Sequence, residues 1–359
     1  LFDKYKDRKK KKALKQINFQ VPVKMAVKLR PASKKTAAVC EGTTMARDWI
    51  NIPANDKTPE KWTRSIVSLA RKQGLKTRVL NEARLKQKKM GAMLAVAAGS
   101  QSKPNLVILE HKVPGAKKTL ALVGKGVTFD SGGLNIKTGN SMAAMKSDMS
   151  GAAAVAATLI SAAKTRPKIN LIGAIPIVEN MVSGKATRPG DIIRSYNGKT
   201  IEIGNTDAEG RLILIDAMSY VVETYKPQYL IDVATLTGAC VVALGEKMAG
   251  VFSNDENLAS AVIAAGDKTH ERCWRMPLPD DYKELLKSEF ADMSNIGSTR
   301  WGGAIAAALF LSEFTGDTPW AHIDIAGPAY SGKPSAYSGA GGTGFGVRLL
   351  SDLIDRLAS

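Results

Sequence analysis

Apolar residues follow two rhythms along this chain, and each change of rhythm marks an element. Val21 to Leu29 alternates loosely between apolar and polar positions, as an edge strand would. Thr36 to Trp49 reads as a helix, stopped by Asn51-Ile52-Pro53-Ala54-Asn55. A second helix opens at Thr58-Pro59-Glu60, with Thr58 as N-cap and proline in the first turn, and runs through Ile66 to Arg71 as far as Gly74. Strands and helices then alternate. Lys76 to Leu80, Asn105 to Glu110, Thr119 to Val123, Ile169 to Val178, Tyr229 to Ala234 and His322 to Ala326 read as strands. Met149 to Lys164 is an Ala-rich helix, and Arg211 to Tyr225 reads as an amphipathic one. Ile192 to Ile203 carries Asn197-Gly198, a strong hairpin signal. Mostly apolar strands alternating with helices predict an α/β fold: a three-layer sandwich with a central mixed β-sheet flanked by helices.

Composition narrows the classes. The chain has 359 residues, 44% hydrophobic, which suits one large α/β domain with or without a small appendage. The longest nearly uncharged helical stretch, Gly151 to Ala163, is too short to span a bilayer, and no secretory signal opens the chain. Cys40, Cys240 and Cys273 are widely spaced and odd in number, so neither a disulfide framework nor a thiolate zinc site is expected. His111, His270 and His322 have no metal-site spacing, and HExxH is absent. Cytoplasm is the default compartment on these grounds.

The net charge is +18, of which +11 falls in residues 1–40, around Arg8-Lys9-Lys10-Lys11-Lys12. Such an arm admits nucleic acid as an additional partner. A solvated lysine-rich linker or helix surface is the favoured explanation, since no aromatic residues interleave with the run.

Two segments gather chemistry, each following a predicted strand, where ligands bind in open α/β sheets. In Val123-Gly124-Lys125-Gly126-Val127-Thr128-Phe129-Asp130-Ser131-Gly132-Gly133, continuing to Lys137, glycines flank Lys125 and follow Asp130. A phosphate loop is disfavoured, since GxxxxGK[ST] is absent and Asp130 would repel phosphate. Asp148 follows just before the Ala-rich helix; read singly, it is an N-cap. In Asn205-Thr206-Asp207-Ala208-Glu209-Gly210-Arg211-Leu212 two carboxylates stand two residues apart, and they repel unless a cation or a shared proton lies between them. A helix starting near Arg211 would aim its free N–H groups and the guanidinium at one spot, which suits a small anion. Asp130, Asp148, Asp207 and Glu209 together make an oxygen-rich set for one or two divalent ions. Residue chemistry thus reaches a carboxylate-metal hydrolase and leaves peptide, amide and phosphate substrates open.

The segment 205–212 resembles the signature octapeptide of the leucyl (cytosol) aminopeptidase family, and Val123 to Lys137 resembles that family's other metal-binding stretch. Asn51-Ile52-Pro53-Ala54-Asn55, Arg188-Pro189-Gly190-Asp191, Ala234-Thr235-Leu236-Thr237-Gly238-Ala239 and His322-Ile323-Asp324-Ile325-Ala326-Gly327 match as well, in order. The resemblance implies a metallo-exopeptidase that removes Leu-like residues from peptides with a free N-terminus, using a metal-bridged water. By it, Lys125, Asp130, Asp148, Asp207 and Glu209 hold two divalent ions, with Lys125 neutral and Asp130 and Glu209 between the metals. Zn²⁺ or Mn²⁺ is expected, and Mg²⁺ and Co²⁺ tolerate such ligands. Lys137 would stabilise the oxyanion, Arg211 would hold a bicarbonate as general base, and Met145, Thr235 and Leu236 would line the first subsite. It also implies a homohexamer, a basic lead-in over residues 1–35, and a catalytic domain over 36–359 without the family's usual N-terminal domain.

Overall fold

The computed structural model describes residues 2–6 and 16–358; the basic run Arg8 to Lys12, and with it the expected nucleic-acid arm, lies outside the described residues. The long helix α1 (Val23–Asn51) is followed by α2 (Pro59–Lys72). Thr58 caps α2 as its spacing predicts, its side chain accepting from the Lys61 N–H. Next come β1 (Lys76–Asn81), α3 (Glu82–Gln87), α4 (Gly91–Ala97), β2 (Asn105–His111), β3 (Thr119–Gly124) and β4 (Gly126–Asp130). A 3₁₀ turn over Ser141–Ser147 leads into α5 (Ser150–Thr165), and β5 (Asn170–Asn180) follows. The Asn197-Gly198 turn joins β6 (Ile192–Arg194) to β7 (Thr200–Glu202) as an antiparallel hairpin. The chain continues through α6 (Glu209–Tyr225), β8 (Tyr229–Ala234), α7 (Gly238–Leu244), β9 (Ala249–Ser253), α8 (Glu256–Thr269) and β10 (Cys273–Arg275). It ends with β11 (Met293–Ser294), α9 (Gly303–Ser312), β12 (Trp320–Asp324) and α10 (Val347–Ala358).

The expected three-layer sandwich is present. The central sheet runs in the order β1-β2-β5-β3-β8-β12-β9-β10, with β4 also pairing β5, while β11, β7 and β6 form a small separate sheet. Strands β5, β3, β8 and β12 are mutually parallel, and antiparallel pairs close either side, so the sheet is mixed. Side chains alternate between two cores. Leu120 and Leu122 of β3 pack under α1, α2, α5, α8 and α10. Ala121 and Val123 face α3, α4, α6 and α9.

Two expectations from periodicity are corrected. Val21 to Leu29 does not form an edge strand: α1 begins at Val23, and among the described residues no strand pairs with this stretch. Without a neighbouring strand, helical hydrogen bonds satisfy the backbone. The alternating apolar residues then scatter round the helix, so Val23, Met25, Val27 and Leu29 remain exposed. Burial in α1 starts only at Ala38, close to the expected boundary at residue 36, although the helix itself runs across that boundary. Helix α6 is not amphipathic: every residue from Glu209 to Val221 is buried, because the sheet lies on one side and α4 and α9 on the other.

A candidate two-metal active site

Parallel strands deliver the site at their carboxyl ends. Beyond β3, the Lys125 N–H donates to the Val233 carbonyl of β8 (3.0 Å), and the Lys125 carbonyl accepts from Ala152 N of α5 (2.9 Å). That anchors Lys125 between two neighbours. Its Nζ reaches Asp148 Oδ1 (2.8 Å), Glu209 Oε1 (2.8 Å) and the Thr235 carbonyl (2.8 Å). The side chain passes over Gly210, where a Cβ would stand 2.5 Å from Lys125 Cε and would push that side chain aside. Asp130 closes β4, and Lys137 returns to it at 2.8 Å while touching Asp207 at 2.6 Å. Asp148 does not cap α5, whose start at Met149 has no side-chain cap; its Oδ1 accepts from Thr235 Oγ1 (2.7 Å) instead. Asp207 lies in the loop after the small hairpin sheet, and Glu209 is the first residue of α6. All ten side chains singled out from the sequence (Lys125, Asp130, Lys137, Met145, Asp148, Asp207, Glu209, Arg211, Thr235 and Leu236) line one cavity of about 520 Å³.

The electrostatics follow from crowding of buried charge. Burial pulls the Lys125 ammonium toward losing its proton, but Asp148, Glu209 and Asp130 outweigh it and hold the pKa above the usual lysine value. Among these side chains alone, the shift runs opposite to the neutral lysine expected between two cations; a bound cation would have to displace that proton. Lys137 is likewise raised, its burial outweighed by Asp130 and Asp207. Burial pushes Asp148 well up, with Glu209 and Asp130 adding to it against Lys125. Burial also raises Asp207, to about 6, as do Asp130 and Glu209. Arg211 is lowered to about 10 by burial, against the pull of Glu209 and Asp324.

The donor set fits divalent ions. Carboxylate oxygens of Asp130, Asp207 and Glu209 lie within 4.8 Å of one another. Asp148 Oδ2 is buried without a hydrogen-bond partner. Carboxylates packed this closely are satisfied by cations. Arg211 donates from Nη1 to the Asn295 carbonyl (2.7 Å), while its buried Nε has no partner and remains free for an anion.

Sequence reasoning missed the residues that hold these groups. Asn180 Nδ2 donates to Asp130 Oδ1 (2.8 Å) and to the Thr206 carbonyl (3.1 Å), tying the two segments together. The fully buried Asn295 accepts from the Gly204 and Asn205 N–H groups and donates to the Asn205 carbonyl. Neither stands near a motif, so nothing local signals it. Asp324 lies in a segment already matched by sequence; it accepts from the N–H groups of Leu236 and Thr237 and from Thr237 Oγ1, which shapes the subsite loop. His322, the nearby histidine, is buried against Asp232 (2.6 Å).

The chain is similar to known proteins over most of its length. The profile of the cytosol aminopeptidase family, catalytic domain, matches residues 44–351. A "Probable cytosol aminopeptidase" of Geobacter sp. (strain M21) is 46% identical over 358 residues, 99% of this chain and 72% of that protein. One of Syntrophotalea carbinolica is 50% identical over 327 residues, 90% of this chain and 65% of that protein. Among solved structures, the bottromycin maturation enzyme BotP in complex with Mn superposes with a TM-score of 0.89 at 40% identity, covering 95% of this chain and 74% of that one.

Proposed function

The chain belongs to the cytosol aminopeptidase family and is a metallo-aminopeptidase, and from that premise we propose that it removes Leu-like N-terminal residues from peptides with two divalent ions. The observation that carries this reading is the convergence of five ligating side chains, Lys137, Arg211 and an apolar wall on one cavity. Lys125, Asp130, Asp148, Asp207 and Glu209 would hold the ions. When bound, such ions lower the pKa of a water and polarise the scissile carbonyl. Mn²⁺ and Zn²⁺ are the favoured occupants; the Mn in the BotP structure supports the first.

The protein's own groups do the rest. Lys137, half-buried beside Asp130 and Asp207, donates an N–H to the carbonyl oxygen as negative charge develops there. Arg211, whose buried Nε has no partner, would hold a bicarbonate there, which would supply a general base. Met145, Thr235 and Leu236 wall the first subsite, where an aliphatic side chain leaves water. Residues 36–359 form the catalytic unit, and the working assembly is a homohexamer.

Hydrolysis of leucine amide by metal-stripped protein, before and after Mn²⁺ or Zn²⁺ is added, tests this reading. Activity that returns with metal, reaches saturation at two ions per chain, and exceeds that on glutamate amide is the expected result. Full activity after stripping, or saturation at one ion, would overturn the two-metal assignment.

A further inference from the structure

Lys57 stands in the short link between α1 and α2, 1% exposed and outside every motif used above. An ammonium has three donors, and here three main-chain carbonyls face it. Nζ lies 2.9 Å from the Trp49 carbonyl and 3.4 Å from that of Ile50, both in the last turn of α1. The third partner is the Lys146 carbonyl at 2.7 Å, one residue after Met145 and two before Asp148. The Lys146 ammonium in turn donates to the Asn51 carbonyl (3.3 Å).

These contacts matter because, among the described residues, every other hydrogen bond of the 3₁₀ turn over Ser141–Ser147 stays within the turn and its flanks, leaving packing, chiefly against β4, as its remaining hold. Ser141 donates to Thr138, Ser147 to Ala144, and Ser150 to Ser147. Ala143 N donates to Asn140, and Asp148 N to Met145. Among the described residues, the hydrogen bonds joining this turn to a distant part of the chain run through Lys57 and Lys146 to the end of α1. The turn carries Met145 into the cavity and hands the chain to Asp148. Burying an ammonium with carbonyl partners alone is costly. A methionine would fill the same volume without that cost, but would leave the turn only the Lys146–Asn51 bond and its packing to hold it.

We propose that Lys57 is a positioning residue: it clamps the 141–147 turn to the end of α1, and so sets the Met145 wall of the first subsite and the approach of Asp148 to its metal. The inference rests on the roles given to Met145 and Asp148 above. Groups that orient metal ligands from outside typically change metal affinity by about 10–100-fold when removed.

The test uses the full chain, with Lys57→Met to remove the donors at similar length and Lys57→Arg to restore them. Mn²⁺ binding to stripped protein is measured by calorimetry. The ratio of kcat/KM for leucine amide over alanine amide is measured alongside, with thermal melting as a fold control. The expected result for Lys57→Met is a folded protein that binds Mn²⁺ about tenfold more weakly. Its leucine preference should also fall, through KM, and Lys57→Arg should recover part of both. If Lys57→Met does not fold, Lys57→Gln, which keeps a donor at shorter reach, takes its place with the same readings. A folded variant with normal Mn²⁺ affinity and normal preference, even one that melts earlier, overturns the proposal and leaves Lys57 a packing residue. Asp148→Asn and Met145→Ala are measured in parallel. If these change neither reading, the site assignment itself fails and takes the proposal with it, an outcome distinct from failure of Lys57→Met alone.

Discussion

Lys137 makes two close ion pairs in the cavity wall, one with Asp130 and one with Asp207. If its task is the oxyanion, Lys137→Ala in the metal-loaded protein should keep both ions and lose about 10²–10³-fold in kcat; normal turnover would remove that role. Gly210 is fixed by a different constraint. A Cβ there would meet Lys125 at Cε, Cδ and Nζ, all under 3 Å. Gly210→Ala is therefore expected to displace Lys125 and weaken metal binding at least tenfold, read by the same calorimetry. Asp216 shows a buried carboxyl serving the fold. Its Oδ1 accepts from Tyr196 N (2.7 Å) and its Oδ2 from Met93 N (2.9 Å), and burial raises its pKa to about 7. A folded pKa above the unfolded one means the folded state binds the proton more tightly. The stability from this group is therefore complete below about pH 4 and lost as pH rises to about 7, on the order of 4 kcal/mol. Urea midpoints of the wild type should fall between pH 5 and pH 8 more steeply than those of Asp216→Asn; equal slopes would remove Asp216 as the source.

Helices α5 and α10 reach their places by different means. α5 is buried along nearly its whole length, from Ser150 to Ala162, and its alanines and Gly151 let it lie against the sheet. A Cβ on Gly151 would stand 1.9 Å from the Val233 carbonyl of β8. α10 depends on a residue far away in sequence: the buried Glu271 carboxylate accepts from the N–H groups of Gly346 (3.0 Å) and Leu349 (2.8 Å) and from Arg348 Nε (3.2 Å). Removing it strands two buried N–H groups, so Glu271→Ala should cost about 3 kcal/mol and speed amide exchange in α10 first. Unchanged protection there would show that packing alone holds the helix. The element scale is also where periodicity succeeded and failed. β2, β3, β5, β8 and α2 lie where apolar runs and the Thr58-Pro59 start place them, because their patterns agree with local bonding. The first half of α1 and the all-round burial of α6 were misread, since both depend on which neighbours are present.

The molecule as a whole is one mixed sheet between two helical layers, with the reactive cavity at the carboxyl ends of its parallel strands. Val242, Phe290, Trp301 and Trp274 stay exposed, at 90%, 75%, 68% and 60%. The proposed homohexamer would cover such side chains if they lie at its contacts. Sedimentation at micromolar concentration should therefore give a mass several-fold above 38.3 kDa; a monomer under those conditions would remove the hexamer. Ten of the residues that line the cavity were legible in the sequence: Asp130, Asp148, Asp207, Glu209 and Arg211 through their chemistry, and Lys125, Lys137, Met145, Thr235 and Leu236 through the resemblance of their segments to the family's motifs. The class of fold was legible too, since the alternation of strands and helices is a local property of apolar spacing. What only the tertiary structure decided is how those residues are held. Asn180, Asn295, Asp324, Glu271 and Lys57 act through hydrogen bonds to chain far from them in sequence, and no local pattern records such a partner. The proton balance of Lys125 is of the same kind, set by three carboxylates that meet only when three separate segments converge.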